Sequence, residues 1–372
     1  MNNFNSRQRK TAYIVGILVL LVPIVLLGMP SSGGAEESGG ALARMRREYD
    51  LGENDLGKID PTSATMNLVL LGLRGVAVNV LRMQLDDYKD HKEWAQMQAT
   101  TEAVITLQPH YVEVWRFLAW NLSYNVSAEW DAVPDRYFWV KEGGKFAQRG
   151  TEHNSAVPEL YWASGKTWGQ KVGRSDEWNY FRKYFINDPD TERFNGADPE
   201  INPEQKDNYL VSKDWFQKAN NAEENREQHI MMRALFRAWP ARSQLEYADA
   251  LQRDTRHITA ADFENVADQN PDALAEEARR QNFLKSVQAW KAGFEDWTTG
   301  FGKERLQTPA CQIYLEANEE DVQSMADSQG VEVATVMKWV RHYQNTANYR
   351  YWRTRALAES TASADANGLN TA

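Results

Sequence analysis

Three short stretches of this 372-residue chain combine residue types that can do chemistry. The first is Lys141-Glu142-Gly143-Gly144-Lys145, a Gly/Lys-rich run of the kind that cradles phosphate. A P-loop needs Gly, four residues, Gly-Lys and then Ser or Thr. Here Trp139 stands at the first Gly position and Phe146 at the hydroxyl position, so the run reads as a helix break or flexible turn inside a hairpin. The second set is Asp131, Asp135 and Arg136 with the later Arg174-Ser175-Asp176-Glu177. Buried carboxylate pairs can move protons, whereas Arg–Asp pairs at helix corners are structural, and the structural reading is preferred. The third, Asp188-x-Asp190-x-Glu192, imitates the start of a calcium loop but carries Arg193 where Gly is needed, which leaves solvated loop charge. The six His are scattered with no His/Glu pairing at metal spacing. Cys311 is the sole cysteine, so neither an intramolecular disulfide nor a thiolate metal site is expected. No catalytic, cofactor or metal set emerges, and the chain reads as a binding protein, not an enzyme.

Aromatic chemistry is what remains. The chain holds 14 Trp, 15 Tyr and 13 Phe, and eight of the Trp fall between Trp94 and Trp178. Exposed Trp and Tyr make interface hot spots or sugar-stacking platforms, while Trp at repeat positions packs one hairpin on the next. Trp115 and Trp120 are five residues apart, about 140° around a helix, so one packs and the other is free to line a groove. Trp115, Trp120, Tyr124, Trp162 and Trp168 form the candidate partner-binding groove. Arg74, set between Leu73 and Gly75 in an apolar stretch, needs a carboxylate if buried and is read as a structural clamp.

Helices must position these residues. Trp94, Met97, Thr101, Val104 and Ile105 recur at three and four, and Leu107-Gln108-Pro109 ends that helix. Trp115, Leu118, Ala119 and Leu122 continue the spacing on the next. Leu274, Leu284, Val287, Trp290 and Trp297 trace a helix opened by Asn270-Pro271; Val333, Val336, Val340, Tyr343, Ala347 and Tyr351 trace another. No run alternates in the manner of a strand, so the fold is all-α. Residues 187–205 hold three of the twelve prolines and read as a loop, and 359–372 as a disordered tail.

Location is set by Ala12–Met29, the only long uncharged apolar run. As a helix it spans about 27 Å, just short of a ~30 Å hydrocarbon core. Arg7, Arg9 and Lys10 precede it, which keeps residues 1–11 cytoplasmic and places the main domain outside, in the periplasm of a two-membrane cell. The run is long for a signal peptide, which favours an uncleaved signal-anchor; the alternative is cleavage after Ala35. Residues 30–60 form a linker, Gly/Ser-rich at first, and Asp60-Pro61 looks like a helix cap opening a helical domain over 61–358. Met66–Leu85 is apolar too, but Arg74 and Arg82 make it a buried helix of the soluble domain in preference to a second span. The formal charge is −10, and −13 without residues 1–35, which argues against nucleic acid and against flat binding to anionic lipid heads.

Pro109 precedes Trp115 by six residues, and Trp115-x2-Leu118-Ala119-x2-Leu122 follows a tetratricopeptide-like pattern. Tyr161-x2-Ser164-Gly165-x2-Trp168, with Phe181 in a second helix, gives another copy. The opening aromatics are 46 residues apart instead of about 34, and Glu177 replaces the small residue of helix two. The stretches LLGLRGVAVNVLRMQLDDYKD, LQPHYVEVWRFLAWNLSYNVSAEWD, YFWVKEGGKFAQRG, VPELYWASGKTWGQKVGRSDEW and NYRYWRTRALAE resemble uncharacterised membrane-anchored, tetratricopeptide-like bacterial proteins of planctomycete type, some labelled "iron-responsive element". The resemblance implies an anchored α-solenoid of helical hairpins and no known activity; the residues themselves give no support to iron binding. The expected function is a scaffold or assembly factor that binds another envelope protein. Glycan or peptidoglycan recognition through exposed Trp is the alternative.

Overall fold

The computed structural model describes residues 74–224, 233–266 and 269–362, with residues 10, 13–16 and 19 nearer the start. Most of the predicted anchor at 12–29 lies outside these residues, as do the whole 30–60 linker and the Asp60-Pro61 cap. Among the described residues, no helix is long and apolar enough to cross a membrane.

The chain is all-α, as its periodicity predicts, and local chemistry sets the boundaries. Helix α1 (Arg74–Asp90) pairs with α2 (Trp94–Leu107), which stops at Leu107 because Pro109 excludes helical angles from the residue before it. α3 (Val112–Trp120) runs into a π-turn at Asn121–Val126. α4 (Val133–His153) and α5 (Pro158–Lys166) each take a proline in the first turn, where no N–H is needed. A second π-turn, Thr167–Lys171, and a last turn, Val172–Arg174, extend α5. After α6 (Trp178–Ile186) the expected loop follows, and α7 (Asn208–Glu224) and α8 (Arg233–His257) form the next pair. α9 (Pro271–Glu295) begins where predicted, its first turn capped by the Asn270 side chain, and passes into a third π-turn, Asp296–Gly300. Two-residue strands, β1 (Leu306–Gln307) and β2 (Gln312–Ile313), make a small antiparallel ladder that the helical reading did not include. α10 (Glu319–Gln329), α11 (Val333–Thr346) and α12 (Tyr349–Ser360) complete the order.

Three sequence expectations change. The spacing from Val333 to Tyr351 is two helices, broken where Asn348 adopts a left-handed φ of 51°. The tail does not begin at 359, because α12 continues to Ser360 and Glu359 accepts a hydrogen bond from Gln252; residues 363–372 lie outside the described ones. Lys141–Lys145 is neither a break nor a turn but the middle of α4. A Cβ on Gly143 would fall 2.2 Å from Ser123 Oγ in the first π-turn, and one on Gly144 would fall 2.0 Å from the Trp168 ring. The two glycines are there for close approach.

Packing proceeds mainly from one element to the next: α3 on α4, α4 on α5, α5 on α7, α7 on α8, α8 on α9 and α9 on α12. Trp115 and Leu118 centre the first core, Trp168, Phe181 and Phe185 the second, and Trp290, Trp297 and Tyr349 the third. In α1, Val78 and Leu85 are buried while Val76, Val80 and Met83 are exposed, so the expected buried helix is buried along one face only. Arg74 opens α1, and its side chain, with the clamp role assigned to it, lies outside the described residues.

Candidate functional site

The charged motifs resolve into structure first. Lys141 Nζ lies 2.6 Å from Asp188 Oδ2 and 3.3 Å from Asp198 Oδ2, while Lys145 Nζ lies 2.8 Å from Asp198 Oδ2 and 2.6 Å from Glu200 Oε2. Asp188 is therefore not solvated loop charge: it is a buried counter-ion that holds the 187–205 loop against α4. Beside it the Tyr137 hydroxyl is buried with no hydrogen-bond partner among the described residues, and burial, then the charges of Asp188 and Asp198, push it well above the usual phenol range. Arg136 pairs with Glu177 and donates to the Trp130 carbonyl, a link between helix ends. Asp131 and Asp135 stay at the surface, outside this network.

A polar cavity of about 450 Å³ lies near the C-terminal helices, lined by Lys303, Asn318, Asp321, Gln344, Arg350 and the Glu316–Arg353 pair. Its charges engage one another: Arg353 Nη2 is 2.8 Å from Glu316 Oε1, Tyr349 donates to Glu316 Oε2 at 2.7 Å, and Lys303 is 3.5 Å from Asp321. Burial alone would raise the Glu316 carboxyl, but the hydrogen bonds from Arg353 and Tyr349 outweigh it and hold the group below its ordinary value. Asp198 behaves alike: burial opposes ionisation, and the bonds from Lys145 and the Glu200 N–H prevail.

A depressed folded-state value means stability present above the unfolded value of about 4 and lost as pH falls through the folded one. The thermal midpoint is thus expected to be flat down to about pH 4.5 and to drop below it, with a shallower drop in Glu316→Gln. Parallel acid limbs in melts of the two proteins would count against this reading of Glu316.

The candidate aromatics divide. Trp115 and Trp168 are wholly enclosed and reach no groove: Trp115 lies against Phe146 and donates to the Pro109 carbonyl, and Trp168 lies against Phe185. Trp120, five residues after the enclosed Trp115, is 49 % exposed and stacks on Tyr124 with centroids 5.9 Å apart. Lys171 Nζ sits 5.2 Å from the Tyr124 ring. Trp162 is half-buried on α5 and meets a residue absent from the candidate set: Trp239 of α8, at 5.9 Å and 82°.

Both rings rest over Phe216 of α7, at 6.2 Å and 5.0 Å. α5 and α8 each pack on α7, which approaches α5 closely because Gly165, Gly169 and Gly173 present no side chain to Phe216, Ser212 and Tyr209. Further along, Gln170 and Arg174 reach across from α5's extension to Glu246 of α8, at 3.1 Å and 3.2 Å, and Arg242 bonds the same carboxylate at 3.0 Å. Lys166 lies 5.2 Å from the Trp162 ring and Arg242 5.0 Å from the Trp239 ring. Trp239, Arg242, Lys166 and Glu246 escaped the sequence reading. A usable signal existed in the repeated placing of a cation three or four residues after Trp, in Trp162/Lys166, Trp215/Lys218 and Trp239/Arg242.

No family model, curated protein or solved structure matches the chain.

Proposed function

We propose that the chain is a membrane-anchored, extracytoplasmic scaffold or assembly factor that binds another envelope protein and catalyses nothing. The observation that carries this reading is two exposed indoles that no core takes up: Trp120, stacked on the half-buried Tyr124, and Trp130, 43 % exposed, stacked at 6.3 Å on Trp139, which itself packs against the first core. Large aromatics left at a surface are hot-spot material, because burying one against a partner removes much apolar area at little conformational cost. The stepwise packing of the helices supports tetratricopeptide-like hairpins stacked as an α-solenoid, in line with the resemblance to anchored bacterial repeat proteins. The apolar run at 12–29 supplies the anchor in this reading, with cleavage after Ala35 as the alternative, and the basic residues before it set the main domain outside. Stacked aromatics also favour a second reading, recognition of peptidoglycan or another glycan.

A photo-crosslinking amino acid at position 120, with position 357 as an exposed control remote in sequence, separates these readings in intact cells. The expected result is a discrete protein adduct from 120 and none from 357. An adduct that glycan hydrolases remove and proteases do not would move the assignment to the second reading. No adduct from 120, or equal labelling from both positions, would overturn the first.

A further inference from the structure

We propose that the corner formed by Trp162, Trp239, Lys166 and Arg242 is the docking site for an acidic, extended segment of the partner, an inference that rests on the protein-binding reading above. The two half-buried indoles meet edge to face, at 82°, over the buried Phe216, and each keeps part of its surface in solvent. Cations flank the pair on both helices. Lys166 makes no ion pair among the described residues, and Arg242 and Arg174 share the single carboxylate of Glu246. Glu159, one turn before Trp162, is already engaged. Lys166, Arg174 and Arg242 set against Glu246 and Glu159 still leave one net positive charge in a chain whose net charge is −10. Such an excess inside an acidic molecule is complementary to negative charge brought from outside.

The dimensions suit a short stretch of chain. From Trp162 to Arg174 the helix advances about 18 Å at ~1.5 Å per residue, the reach of about five extended residues. A nucleic-acid polymer is disfavoured, because a phosphate backbone needs a longer row of free cations than one unpaired lysine and two shared arginines. An acidic segment with an apolar side chain between its carboxylates matches both the indole pair and the cations beside it.

The test uses the full-length chain in mild detergent and fluorescence anisotropy. The probes are a labelled decapeptide alternating Glu and Leu, the same peptide with Lys for Glu, and an oligogalacturonate of equal charge. The Glu peptide is expected to bind, to weaken as salt rises, and to lose about tenfold or more in affinity to Lys166→Glu, while Lys166→Arg retains it. Lys338→Glu, which alters a similar exposed lysine beside Trp339, should change nothing. Absence of binding, equal binding by Lys166→Glu, or preference for the oligogalacturonate overturns the proposal. If the peptide fails while position 120 still cross-links a protein, only the acidic docking site is lost. If both fail, the protein-binding reading goes with it.

Discussion

Gly144→Ala is expected to destabilise the chain by about 3 kcal/mol, although alanine is the better helix former by about 1 kcal/mol. The new methyl carbon would lie 2.0 Å from Trp168 Cη2 and 2.3 Å from Cζ2, inside any tolerable contact. The indole has nowhere to go: it is fully enclosed and lies against Phe185, with ring centroids 5.6 Å apart. Relief therefore means prising α4 away from the π-turn that carries Trp168, and overpacking of this kind costs ~1–3 kcal/mol, occasionally more. Steric cost outweighs propensity. Gly75 supplies the opposite case, since it is exposed and a Cβ there would meet nothing within 4 Å among the described residues. Gly75→Ala should leave stability unchanged or raise it by up to about 1 kcal/mol. Urea unfolding of the two variants beside the parent measures both effects. Gly144→Ala at parental stability would refute the seating of Trp168 on α4.

The same pair of residues shows where sequence reasoning reached and where it stopped. Helix type, the stop before Pro109 and the Asn270-Pro271 start depend on neighbours in the chain, and these were legible. Trp115 against Trp120 was legible as well, because five residues on a regular helix fix an angle. Gly143-Gly144 was not: two glycines mean flexibility or close approach, and only the positions of Ser123, some 20 residues before, and Trp168, some 24 residues on, decide between them. The candidate groove divides for a simpler reason: Trp162 and Trp168 are six residues apart, about 240° around a regular helix, so they leave it on different faces, Trp168 into the core and Trp162 half outside. Trp239 was out of reach in another way. Its ring meets Trp162 across 77 positions of chain, a pairing that no local period encodes.

Lys141→Met should be about as damaging as Gly144→Ala, for an electrostatic reason and with a different signature. The ammonium is 5 % exposed, holds Asp188 and Asp198 and lies 4.5 Å from the Phe194 ring, so three points of the loop converge on one charge. Methionine keeps most of the volume and removes the charge. Asp198 would retain Lys145, whereas among the described residues Asp188 would keep only the Asp190 N–H at 3.0 Å, too little for a side chain 1 % exposed. Leaving one member of a buried pair alone costs about 3–5 kcal/mol, more than the pair itself contributes net, because the desolvated charge remains. The cheapest escape is local: the loop lifts so that Asp188 reaches water, while the core around Phe181 and Phe185 stays closed. Trypsin then has Arg193, already exposed within that loop, as its reporter. Cleavage at Arg193 should accelerate at least tenfold in Lys141→Met before any change in the bulk melt. Adding Asp188→Asn should restore much of the protection, because the double variant buries no orphan charge. Unchanged cleavage in the single variant, or no recovery in the double one, would mean that the loop is held by its apolar contacts, with Ile201 in the second core the first place to look.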